Sequence, residues 1–137
     1  MGNCLNNSVS VLSFFLLGIV LSLIFIATVK QRKNELLIYS HGLIIAAAIY
    51  VVFAIVYSAN SEWLFIEVFG LLFFSWLARV KLKNTIFWLY LGWLIHPLWD
   101  ILHLFYGHSN HVPDWYIIAC ISFDWVIAYR VWVLGRK

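Results

Sequence analysis

Five long runs of apolar residues, each broken by a few polar ones, organise the whole chain. They cover about 9–29, 36–57, 63–80, 86–106 and 115–134, and between them stand "KQRKNE", "SANSE", "RVKLKN" and "GHSNHVPD". The runs are near-continuous, unlike the single apolar stripe of a helix in a water-soluble core. A helix needs about 20 such residues to cross the hydrocarbon layer of a bilayer, so the pattern predicts five membrane-crossing helices. The third run is the shortest and reaches Val80 only if Arg79 extends its charge toward the headgroups. The first run carries no charge, and the residues before it, "MGNCLNNS", have no Lys or Arg. It is therefore read as a retained span rather than a cleaved signal. Having only Ser and Thr as polar handles, it is expected at the edge of the bundle.

Composition moves the reading the same way. The chain is 64% apolar and 11% charged, whereas soluble domains run near 45–50% and about 25%. The predicted fold class is an all-α membrane protein: one domain over 1–137, a bundle of five transmembrane helices. Two cysteines, Cys4 and Cys120, make no disulfide framework.

Charge then sets an orientation. Lys30, Arg32 and Lys33 fall in one loop, Arg79, Lys81 and Lys83 in another, and Arg130, Arg136 and Lys137 near the end of the chain. Five spans put all three groups on one side. With basic residues retained in the cytoplasm, the N-terminus is expected outside and the C-terminus in the cytoplasm, in a multi-pass protein of the bacterial inner membrane. The net charge of +3 is accounted for by this topology and by anionic lipid, so the expected partner is the bilayer and not nucleic acid. Arg130 is expected to extend toward the cytoplasmic surface rather than pair with Asp124.

Against this background the ionisable residues inside the runs stand out, because such groups are costly in a membrane and face the bundle interior or a watery cavity. They are His41, Glu67, His96, Asp100, His103 and Asp124. His96, Asp100 and His103 follow i, i+4, i+7 spacing and share one helical stripe with Leu89 and Gly92, while Leu94, Leu98 and Phe105 point the other way. The stripe is expected to face inward. Pro97 frees the carbonyl of Trp93 beside it.

Imidazole and carboxylate at i, i+4 or i, i+3 can chelate one ion. His96, Asp100 and His103 are thus candidate ligands of a divalent metal, zinc or iron. The two histidines are about 10.5 Å apart along the axis at about 1.5 Å per residue, too far to share an ion, so Asp100 pairs with one of them. Glu67 and Asp124 are candidates for further ligands or for a general base. Glu67 is expected at the depth of His103, and Asp124 at the depth of His96 and Asp100. His108, His111 and Asp114 form a candidate outer-loop cluster that also reads as a polar turn. His41, near the cytoplasmic side, is a candidate relay point for protons or a plain structural histidine. Trp93, Trp99 and Trp125 lie deep enough to line a pocket for an apolar ligand.

Three functions fit these residues: a metal-dependent enzyme acting on a lipid-like or small apolar substrate, a non-catalytic ligand-binding or accessory protein, and a small homo-oligomeric transporter or proton relay. The chain carries no "HExxH" and no "GxSxG". The stretches "GWLIHPLWDILH" and "HGLIIAAAIY" resemble a group of small bacterial membrane proteins of unknown function, over most of spans two to five. That resemblance implies the membrane architecture and lends no activity. Five spans and eight Trp also resemble the tryptophan-rich sensory protein family in architecture; that family's loop and helix motifs are absent, and no residue is carried over.

Overall fold

The computed structural model describes residues 2–80, 84–106 and 111–137, with side chains in the first helix described from Asn7 onward. Among these residues five helices follow in chain order: α1 (Gly2–Val29), α2 (Glu35–Val56), α3 (Ser61–Arg79), α4 (Thr85–Tyr106) and α5 (Asp114–Gly135). The shortest has 19 residues, about 28 Å at about 1.5 Å per residue, which is close to the hydrocarbon thickness of about 30 Å. All five are long and apolar enough to cross a membrane, and the chain is accordingly a multi-pass membrane protein by length and composition.

The helix ends have local causes. Asn60 caps α3, its side chain accepting the Trp63 N–H at 2.9 Å, and Asn84 receives the Phe87 N–H at 3.2 Å; both satisfy N–H groups that a helix start leaves unpaired. Pro113, with no N–H to lose, precedes Asp114 at the start of α5. Beyond α2 the chain reverses through Ser58 at φ 53. Ala59 N–H returns to the Ala54 carbonyl at 2.8 Å and Ser58 N–H to the Ile55 carbonyl at 3.2 Å, the paired bonds of a Schellman ending.

The packing order is α1 on α5, α5 on α4, α4 on α3 and α3 on α2. Helix ends pair as an up-and-down bundle requires. The Ser40 hydroxyl of α2 donates to the Ala78 carbonyl of α3 at 2.6 Å, and Arg130 of α5 bonds Glu35 of α2 through both Nε and Nη2 at 2.9 Å. Lys30, Arg32, Lys33, Arg79, Arg136 and Lys137 therefore gather at one end among the described residues; Lys81 and Lys83 lie outside them. α1 sits at the periphery, as its lack of polar handles predicts. It approaches α5 closely at Gly18, where an added Cβ would stand 2.1 Å from both the Ala119 carbonyl oxygen and Ser122 Oγ. The Ser122 hydroxyl closes the same contact by donating to the Phe15 carbonyl at 2.7 Å.

Polarity is arranged inside out. Glu67, His96, Asp100, His103, His111 and Asp124 are all buried, while Leu12, Ile24, Val56, Phe65, Leu72, Phe105 and many like them are exposed. A water-soluble monomer rarely exposes so continuous an apolar surface; in lipid that surface is solvated and the polar groups must be satisfied within.

Candidate functional site

The stripe on α4 faces inward as its spacing predicts: Leu89, Gly92, His96, Asp100 and His103 are all buried, and Leu94, Leu98 and Phe105 are exposed. On α3 the buried residues are Glu67, Gly70, Phe74, Leu77 and Ala78, an i, i+3, i+7, i+10, i+11 pattern that carries Glu67 inward as part of an otherwise apolar seam. Asp124 arrives the same way on α5, between Ile121, Ile127 and Ala128.

These residues do not form one site. They form two groups, each a possible metal cluster. In the inner group, His96 Nδ1 donates to Asp124 Oδ2 at 2.7 Å and stands 3.7 Å from Asp100 Oδ1, while the Tyr50 hydroxyl of α2 donates to Asp100 Oδ1. In the outer group, His103 Nε2 and His111 Nε2 both meet Glu67 Oε1, at 2.6 and 2.8 Å. Ligand atoms within either group lie within 4.8 Å of one another. His96, Asp100 and His103 are thus not co-ligands of one ion. A helix separates residues seven apart by two turns, and each end of the stripe meets a different neighbouring helix. Asp100 keeps His96 as its partner, and His103 takes Glu67, which lies at its own depth.

The aromatic side chains define the walls. Tyr50 lies between the groups, its ring 4.9 Å from that of His103 and 5.8 Å from that of His96. Phe74 covers His96 at 4.7 Å, and Trp63 covers both outer histidines at 5.5 and 5.6 Å. Trp99 Nε1 reaches Glu67 Oε2 at 3.4 Å. The absent side chain of Gly70 makes room for that ring, since a Cβ there would stand 2.6 Å from Trp99 Cζ2.

Elsewhere the structure redistributes the expected residues. Of the expected outer-loop grouping of His108, His111 and Asp114, His111 turns inward to Glu67 and is 1% exposed. Asp114 is exposed at the start of α5, and His108 lies outside the described residues. His41 is exposed, with Nδ1 on the Leu37 carbonyl at 2.8 Å. Arg130 stays clear of Asp124, as expected, but it finds Glu35, which sequence reasoning did not single out. Tyr50 was missed as well; its only signal was its place on the helical face of Tyr39, Leu43, Ala47 and Ala54, which α2 buries. Trp93 is buried, Trp99 half-buried and Trp125 exposed.

Asp124 has a second neighbourhood. A cavity of about 490 Å³ opens between α1, α2, α4 and α5, walled by Leu17, Leu21, Phe25, Ile45, Trp93 and Phe123, with Asp124, Cys120, Tyr116 and His41 as its polar members. Cavities of this size and wall chemistry accept small apolar molecules or a lipid chain.

Charge bookkeeping separates the two groups. The inner one holds two carboxylates and one imidazole, so even a protonated His96 leaves a net negative charge. A buried uncompensated charge costs several kcal/mol, against about 1 kcal/mol for an ordinary hydrogen bond. A second proton or a divalent cation must make up the difference. Among the described residues, Asp100 Oδ2, His96 Nε2 and, in the outer group, His111 Nδ1 are buried with no hydrogen-bond partner. The outer group holds one carboxylate and two imidazoles, so a single positive species neutralises it.

Residues 9–137 match a family of unknown function (DUF6010). No curated protein and no solved structure matches the chain.

Proposed function

The chain belongs to that family of unknown function, so its chemistry has to be read from its own side chains, and we propose an intramembrane enzyme acting on a lipid-like or small apolar substrate. One observation carries this reading: Asp124 belongs both to the buried inner group and to the wall of the apolar cavity. The cavity receives the apolar body of the substrate, and the carboxylate meets its reactive part. His96 and Asp100 hold a divalent metal, zinc or iron, beside Asp124. With a neutral His96 the ion's two charges balance the two carboxylates, and Asp100 Oδ2 and His96 Nε2 supply donor atoms still without partners. When bound, such an ion would supply the acidity that makes a water nucleophilic toward a carbonyl or similar centre, and Asp124, a residue of the cavity wall, would accept the proton. Tyr50 orients Asp100 for this task.

The orientation proposed with it places the basic end in the cytoplasm of a bacterial cell and the outer group at the opposite face. A second reading is favoured by the cavity itself, whose walls are almost wholly apolar. In that reading the protein holds an apolar ligand without transforming it, and the inner group is a proton-balanced hydrogen-bond network that joins α2, α4 and α5.

Metal analysis of detergent-purified protein separates the two. The enzyme reading expects Asp100→Ala and Asp124→Ala each to lose one equivalent of transition metal, and both to abolish turnover of a lipid ester panel. Unchanged metal content in both variants would sink the metal centre and leave the ligand-holding reading.

A further inference from the structure

The outer group is not needed for the chemistry proposed above, and its geometry has its own logic. His103 Nδ1 lies 2.8 Å from the Trp99 carbonyl. That oxygen only accepts, so Nδ1 carries the proton. A neutral His103 then presents the lone pair of Nε2 to Glu67 Oε1 at 2.6 Å, and His111 Nε2 approaches the same oxygen at 2.8 Å. Two acceptors cannot face each other at that distance unless something positive stands between them.

A proton is one candidate and a metal ion the other. Three features select the ion. One donor atom from each of the three residues lies within 4.8 Å of the others, a spacing compatible with donors to a single ion. The N–H to backbone-carbonyl bond that fixes the far nitrogen of His103 is the usual support of a metal-bound imidazole; Nδ1 of His111 has no such partner among the described residues. Two imidazoles with one carboxylate are also a standing donor set for zinc. Around a tetrahedral ion with bonds of about 2.1 Å, donor atoms stand about 3.4 Å apart, so each imidazole nitrogen needs to draw back from Glu67 Oε1 by less than about 1 Å.

We propose that Glu67, His103 and His111 form a zinc site, separate from the inner group, in which a hydroxide or other anion as fourth ligand would balance the ion's second charge, and which ties α3, α4 and the segment leading into α5 together at one end of the bundle. All three ligands are buried, and Trp63 lies against both imidazoles. The site lies outside the cavity where substrate would sit. The assignment is independent of the enzyme reading, since it shares no residue with the inner group.

The test uses the full chain in detergent, in a background carrying Asp100→Asn and Asp124→Asn so that the inner group holds no metal. Zinc is added, excess is removed by gel filtration, and zinc per chain is measured; Co²⁺ is substituted in parallel and its visible absorption recorded. The expected result is one equivalent of zinc, an intense visible Co²⁺ spectrum, and a thermal midpoint that rises with added zinc, as a ligand selective for the folded state requires. His111→Ala, which lies before α5 rather than inside a span, should abolish all three while leaving the helical circular dichroism unchanged. Glu67→Gln should weaken zinc retention at least tenfold. No retained zinc in the folded background protein, or retention undiminished by His111→Ala, would overturn the site.

Discussion

Tyr50 touches both groups and belongs to neither donor set. Among the described residues its hydroxyl is the one side-chain donor other than His96 hydrogen-bonded to or paired with Asp100, and its ring lies between His96 and His103. Tyr50→Phe keeps the ring and removes the bond, leaving a buried carboxylate oxygen short of a donor. The expected cost is about 1–3 kcal/mol of stability, read as a lowered thermal midpoint in detergent, with weaker retention of the inner metal and unchanged zinc on Glu67. None of this was legible in the sequence, where Tyr50 is one more apolar residue at the end of "LIIAAAIY". His96, Asp100 and His103 were legible, because three ionisable residues on one stripe of a membrane helix have to face inward. Which of them share a partner was not, because that depends on the rotation and depth of α3 and α5 against α4. His111 shows the limit most plainly. Among turn-forming residues it reads as part of a polar loop, and only the placement of Glu67 beneath it gives the side chain a reason to turn in.

At the scale of elements, the five helices follow from run length alone, while the contacts between them turn on single small residues. Gly18 is where α1 meets α5. Gly18→Val places a Cβ against the Ala119 carbonyl, which is backbone and cannot swing aside. The expected penalty is about 1–3 kcal/mol for overpacking, measured by thermal unfolding, together with loss of apolar-dye binding in the cavity that α1 walls. The turn after α2 gives a change of opposite sign. Ser58 holds a left-handed conformation that costs an L-residue about 1–2 kcal/mol, part of which glycine recovers against its own greater chain entropy. Ser58→Gly is expected to stabilise by about 0.5–1 kcal/mol, visible as a raised midpoint with no change in metal content. The sequence marks this turn by its polar "SANSE", yet a serine in that conformation is not foreseeable from residue type.

For the whole molecule the testable matter is orientation. Gln31 lies at the basic end and Ser61 at the start of α3, at the opposite end, and both are exposed. With Cys4 and Cys120 replaced by Ala, Gln31→Cys should react with an impermeant maleimide only after the cells are opened, and Ser61→Cys should react in intact cells. The reverse pattern would invert the proposed topology. The two ends also differ in how they are held: Arg130 and Glu35 join α5 to α2 at the basic end, and the outer group joins α3, α4 and the segment before α5 at the other. Charge along the chain made the first end readable as the basic end of the bundle. The second announced itself only as a loop rich in histidine.

The placement of α1 has one more consequence. Leu17, Leu21 and Phe25 supply one wall of the cavity beside Asp124, and the helix that carries them leans chiefly on α5. A molecule bound for that carboxylate would therefore arrive sideways, between α1 and its neighbours, out of the lipid phase. Its occupancy would then follow its mole fraction in the bilayer, so diluting the sample with buffer would leave binding unchanged, whereas diluting the membrane with inert lipid would empty the cavity.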